Sequence, residues 1–141
     1  MANLNGSIAL VTGASRGIGR AIAERLVADG ATVIGTATSE NGALAISEYL
    51  NDSGVGKVLN VSDPESMQAL LSDINDNFGA IDILVNNAGI TRDNLLMRMK
   101  DDEWQSIMDT NLTSIFKMSK AVLRGMMKKR KGRIINIGSV V

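Results

Sequence analysis

Ile8-Ala-Leu-Val-Thr-Gly-Ala-Ser-Arg-Gly-Ile-Gly19 is the stretch on which the fold turns. Ile8 to Thr12 is apolar and of strand length. Gly13 to Gly17 punctuates it as a turn, and residues 18–29 follow as a helix with Ile18, Ile22 and Leu26 on one face. Gly30 stands where a C-terminal helix cap belongs. The spacing is G-x-x-x-G-x-G rather than G-x-G-x-x-G, and no Gly-Lys-Ser/Thr follows to make a P-loop. The physics is still that of a phosphate-binding turn. Gly13 permits a tight exit from the strand, Gly17 lets main chain approach a pyrophosphate, and Gly19 lets the helix pack close to a sheet. The helix start then offers unpaired N–H groups and a positive dipole end to an anion. A purely structural strand–helix turn is the alternative.

The rest of the chain repeats this alternation. Thr32 to Ala37 reads as a second strand, and residues 40–51 as a helix with Ala43, Ile46 and Leu50 inward. Lys57 to Val61 reads as a third strand. Met67, Leu70, Leu71, Ile74 and Phe78 form one apolar helical stripe, opened by Asp63 as cap and Pro64 at the first helical position. Ile83 to Val85, preceded by Asp82, is a fourth strand. Residues 90–100 are irregular, residues 101–130 a long helix, and Arg133 to Ile137 a fifth strand. Strands alternating with helices predict an α/β fold, a doubly wound parallel sheet of the Rossmann type. Right-handed crossovers favour the order 3-2-1-4-5, with a ligand crevice beyond the carboxyl ends of the strands. One domain spans 1–141 and stops just after the fifth strand, where a sixth would be usual.

Hydrophobic residues at 45% and charged residues at 21% argue against disorder. Cysteine and histidine are absent, which removes disulfides, thiolate or imidazole metal sites, and every triad or dyad that needs a histidine base. No metal is expected. The first residues lack the basic and apolar regions of a signal peptide, and no apolar run approaches the ~20 residues of a membrane span. A cytoplasmic protein without membrane contact is expected. Net charge is zero, so nothing global points to nucleic acid. Residues 1–91 nevertheless carry 4 basic and 10 acidic side chains, and residues 92–141 carry 11 and 5. That asymmetry fits an acidic ligand or partner for the second part, or simply a solvated basic surface.

Other polar residues fall where the predicted crevice lies. Asn86-Asn87-Ala88-Gly89 follows the fourth strand. Gly89 would let a flat ring approach main chain, and Asn87 could tie neighbouring strands together; taken singly, the segment could equally be only a loop. Asn111 falls on the apolar stripe of the long helix, with Trp104, Ile107, Met108, Leu112, Ile115 and Val122. A buried carboxamide without partners costs about 1–3 kcal/mol, so it serves either as a structural pin or as a water site. Ser139 follows the fifth strand and could equally cap a helix. Thr36-Ala37-Thr38-Ser39 ends the second strand without a carboxylate for a ribose 2′-hydroxyl, and Glu40 reads as the opening of the next helix. Thr38 and Arg16 suit a 2′-phosphate, which favours NADP over NAD. Lys128, Lys129, Arg130 and Lys131 end the long helix, where cations favour the dipole.

Together, Thr-Gly-x-x-x-Gly-x-Gly, Asn-Asn-Ala-Gly, the helix Asn and the Ser after the fifth strand resemble the short-chain dehydrogenase/reductase family. Ile90-Thr-Arg-Asp-Asn-Leu-Leu-Met-Arg-Met-Lys100 with Trp104, and Gly132-Arg-Ile-Ile-Asn-Ile-Gly-Ser-Val-Val141, are similar to the branch that reduces 3-oxoacyl groups on acyl carrier protein in bacterial type II fatty acid synthesis. The resemblance implies NADP(H), with Gly13, Ser15, Arg16, Gly17, Ile18 and Gly19 on its pyrophosphate and adenosine side. Asn60 and Val61 would flank the adenine, and Asn87, Ala88 and Gly89 would line the ribose and nicotinamide side. Ser139 and Asn111 would serve catalysis, the first by donating to the substrate carbonyl and the second by holding a relay water. Lys129 and Arg130 would meet acyl carrier protein, and the family's homotetramer is expected. The family's Tyr-x-x-x-Lys is missing, because the only tyrosine is Tyr49, which sits on the second helix far from the predicted crevice, and Ser53 stands four residues later. The expectation is therefore an amino-terminal portion of a longer reductase, inactive or nearly so alone. A non-catalytic NADP-binding module, or a reductase of coenzyme A thioesters, remains open.

Overall fold

A computed structural model describes residues 3–87 and 100–138. β1 (Ile8–Val11), β2 (Thr32–Ala37), β3 (Gly54–Val58), β4 (Ile83–Asn86) and β5 (Arg133–Asn136) form one parallel sheet. The order is β3-β2-β1-β4-β5, as the alternation of elements predicts. Because successive strand residues face opposite sides, β1 splits its side chains between two helical layers. Ala9 and Val11, with Val33, Ile83 and Val85, pack toward α1 (Gly17–Ala28) and α2 (Glu40–Leu50). Leu10, Ile34 and Leu84 pack toward α3 (Pro64–Asn77) and a later helix, α5 (Ser114–Lys129).

The helix starts follow local chemistry. Ser39 accepts the Gly42 N–H at 3.1 Å to cap α2, and Asp63 accepts the Glu65 N–H at 3.0 Å to cap α3 ahead of Pro64. Ala43, Ile46 and Leu50 are buried as expected, as are Met67, Leu70 and Ile74. Helix α1 follows its sequence pattern in part, with Ile22 and Leu26 packed against the core. Gly19 and Ala23 form its buried line, whereas Ile18 is 62% exposed. Small residues win that face because α1 lies almost on the sheet.

β3 begins three residues earlier than expected and ends at Val58. Its ladder to β2 starts at Val33↔Gly54. Ladder bonds are made by main chain, so the glycines at its start do not prevent pairing. A Cβ on Gly56 would overlap the Ala43 carbonyl oxygen of α2, so glycine here serves close packing.

The expected helix over 101–130 is divided. It comprises α4 (Asp101–Ile107), a π-helical segment over Met108–Thr113, and α5. A π turn inserts an extra residue and rotates the frame, so the apolar spacing does not stay on one face. Trp104 and Leu112 are 53% and 57% exposed, contrary to expectation. α5 instead buries Ser114, Met118, Val122 and Met126, leaving Phe116, Leu123 and Met127 outside. No helix among the described residues is long and apolar enough to cross a membrane.

Candidate functional site

The β1–α1 turn opens at the carboxyl edge of the sheet, and its main chain is fixed from three directions. From β2, Thr36 Oγ1 accepts the Gly13 N–H at 3.3 Å, and the Thr36 carbonyl accepts the Ala14 N–H at 2.8 Å. From beyond β4, Asn87 Nδ2 donates to the Gly13 carbonyl at 3.0 Å. From α2, the Tyr49 hydroxyl donates to the Ala14 carbonyl at 2.6 Å. Asn87 is fixed in turn, since its N–H donates to Thr12 Oγ1 at 3.0 Å. Thr12 also donates to the Val85 carbonyl at 3.4 Å.

Gly13 and Gly17 have φ of 64° and 62°, the left-handed region that other residues reach only with strain. Around Gly17, a Cβ would meet nothing within 4 Å. Gly19 is the opposite case. A methyl there would overlap the Gly13 carbonyl oxygen and stand 2.6 Å from Asn87 Nδ2. Gly13, Gly19 and Asn87 therefore interlock: glycine at 19 makes room for the carboxamide that holds the turn. Arg16, the N-cap of α1, is extended and supplies no side-chain cap. The first N–H groups of α1 have no acceptor within the helix, which leaves main-chain donors beside an open surface.

The other expected residues gather along the same edge. Thr38 is exposed just past β2, and Glu40 is the first residue of α2, as read from sequence. Asn60 and Val61 lie past β3. Asn60 Oδ1 accepts the Ser62 N–H at 3.0 Å, and its own N–H donates to Ser66 Oγ at 3.1 Å. Val61 shares a cleft of about 150 Å³ with Ser62, Pro64, Thr113, Ser114 and Lys117. α5 runs antiparallel to the strands: Ser119 Oγ accepts from Asn86 Nδ2 at 3.4 Å, while Lys129 reaches Asp82 at the opposite edge. The π segment carrying half-buried Asn111 thus precedes α5 at the carboxyl edge. Ala88, Gly89 and Ser139 lie outside the described residues. Asn86 is buried and donates to Asn136 Oδ1 at 2.9 Å, tying β4 to β5.

Lys129 and Arg130 stand apart from this group. Lys129 Nζ lies 2.6 Å from Asp82 Oδ1, and the Asp82 side chain is 1% exposed. Asp82 Oδ2 accepts the Ile8 N–H at 2.8 Å. Burial opposes the Asp82 charge. The Lys129 hydrogen bond, the Ile8 N–H and the charges of Lys129 and Lys131 outweigh it and hold the carboxyl below its ordinary range. Arg130 ends α5 in a left-handed conformation with φ 53°.

Residues 7–141 match the family model for short chain dehydrogenases. The chain belongs to the short-chain dehydrogenase family. Among its family relatives, "3-oxoacyl-[acyl-carrier-protein] reductase FabG" of Vibrio harveyi is 78% identical over 139 residues. That alignment covers 99% of this chain and 57% of the relative. The protein of the same name from Escherichia coli K12 is 70% identical over the same shares, and that from Pseudomonas aeruginosa is 62% identical over 99% of this chain and 58% of its own length. The chain thus spans a little over half the length of these family members. Thr12 and Thr36 were not singled out by sequence, and Tyr49, read as far from the crevice, instead reaches the turn because α2 packs beside it and its hydroxyl bonds Ala14. A buried threonine at a strand's carboxyl end needs a partner for its hydroxyl, and that was the available signal for the first two.

Proposed function

We propose that this chain is the nucleotide-binding portion of an NADPH-dependent reductase that converts 3-oxoacyl-[acyl-carrier-protein] to the 3-hydroxyacyl form. The observation that carries the reading is the β1–α1 turn, clamped from β2, β4 and α2, with main-chain donors left open at the start of α1. The names of these relatives supply the substrate class. Ser15, Gly17, Ile18 and Gly19 would hold the pyrophosphate, with Gly13 setting the turn. Arg16 and Thr38, both exposed, would hold the 2′-phosphate. Asn60 and Val61 would flank the adenine, and Asn87, Ala88 and Gly89 the nicotinamide ribose. NADPH, when bound, supplies the hydride. Ser139 would donate a hydrogen bond to the substrate carbonyl, and Asn111 would hold a water for the proton path.

Tyr49 cannot stand in for the family's proton donor, because its hydroxyl is committed to Ala14 and no lysine stands four residues on. The 141 residues alone would bind the nucleotide and turn over poorly or not at all. Lys129 and Arg130 are proposed to meet the acidic carrier, with Lys129 already paired to Asp82 and Arg130 the freer charge. The outward Phe116, Leu123 and Met127 support a tetramer. A cytoplasmic location completes the reading.

Calorimetric titration of the chain with NADPH and NADH tests it. Saturable binding that favours NADPH is expected. No binding of either at millimolar concentration contradicts it.

A further inference from the structure

Tyr49 lies on α2, yet it reaches across 35 residues of sequence to the β1–α1 turn. Its ring is half-buried against the core between the sheet and the helices α1 and α2. The Arg20 guanidinium of α1 lies 4.5 Å from the ring centroid. Arg20 also pairs with Glu24 at 3.0 Å, which anchors it over the ring. The phenol is thus gripped by its face from α1 and spends its hydroxyl on the turn.

The direction of that hydrogen bond matters. In a planar trans peptide the carbonyl and the following N–H point opposite ways. Fixing the Ala14 carbonyl toward α2 therefore turns the Ser15 N–H away from α2. The Ala14 N–H is separately fixed on the Thr36 carbonyl, so the residue ahead of the open amides has both main-chain groups tied. We propose that Tyr49 is a positioning residue of the nucleotide site, its hydroxyl locking the Ala14–Ser15 peptide so that the Ser15 amide is presented to the pyrophosphate. This rests on the nucleotide reading above. Burial pushes the phenol up to about 12, Arg20 opposing and Glu24 adding to the shift, so the hydroxyl remains a donor across the physiological range. Pre-setting an amide removes an ordering cost that binding would otherwise carry.

Tyr49→Phe keeps the ring and its packing and removes only the hydroxyl. Its expected effect is a rise of about 3- to 10-fold in the NADPH dissociation constant, the scale of one hydrogen bond. In a longer reductase carrying this segment, the same variant should raise KM for NADPH while kcat and KM for the acyl substrate stay put. The Ser15 amide resonance of the nucleotide-free chain should move, and amides of α3 and α5 should not. Equal NADPH affinity of wild type and variant overturns the assignment, as does an unmoved Ser15 resonance, even if the variant melts earlier. Failure of the wild-type chain to bind NADPH overturns the nucleotide reading itself and takes this assignment with it.

Discussion

The two edges of the sheet use polar groups in opposite ways. At the amino edge, Asp82, Lys129 and the Ile8 N–H satisfy one another, and the carboxylate is almost fully covered. At the carboxyl edge, Thr36, Tyr49 and Asn87 spend side-chain bonds on the main chain of the turn, and Thr12 Oγ1 accepts the Asn87 N–H. What they leave unspent is the set of amides at the start of α1. One edge is closed by its polar residues and the other is held open by them. Polarity alone therefore does not mark a functional site; the difference lies in which groups remain available after the internal bonds are made.

Gly19→Val should break the open edge and have the largest effect. The new side chain would displace the Gly13 carbonyl and Asn87 together. Overpacking of this kind costs about 3 kcal/mol, the upper end of its usual range. In a chain of this length that corresponds to a fall in Tm of roughly 10 °C. NADPH binding should disappear. A variant that melts normally and binds NADPH would show that the interlock of Gly19, Gly13 and Asn87 is not needed.

Asp82→Asn should damage the closed edge and leave the open one working. Loss of the charged pair should cost about 1–2 kcal/mol, with NADPH affinity unchanged. The pH dependence sharpens the contrast. Asp82 has a folded-state pKa below its unfolded value of about 3.9, so its contribution is complete above that pH and is lost as pH falls through the folded value. Acid titration of stability should therefore show wild type and Asp82→Asn converging below about pH 4. Parallel curves would mean that the pair contributes nothing, and a loss of NADPH binding would mean that the edges are not independent.

Much of this organisation was readable in the sequence, and the exceptions have physical causes. Strand order followed from the alternation of elements, because parallel crossovers leave few choices. The cap at Asp63 and the apolar stripes of α2 and α3 are local signals. The stripe held at Val122 but failed at Trp104 and Leu112, because a π segment shifted the frame and nothing in the spacing announces such an insertion. The sequence places the start of β3 at Lys57 because Gly54 and Gly56 carry no strand-forming side chains, whereas their ladder bonds are made by main chain. At the site, the glycine spacing and Asn87 were legible, since their chemistry is carried by residue type. Tyr49 was not, because its role depends on a contact between α2 and a turn 35 residues earlier. Lys129 read as part of a basic run. Only the fold brings it to Asp82, 47 residues away in sequence.

The most direct test of the contrast between the edges is an amide-resolved NMR titration of the chain with NADPH. Resonances of Ser15, Gly17, Ile18, Gly19 and Thr38 should shift together and saturably, while Asp82, Lys129 and Arg130 stay in place. Shifts centred on the amino edge, or none at millimolar NADPH, would contradict the assignment of the carboxyl edge as the nucleotide site.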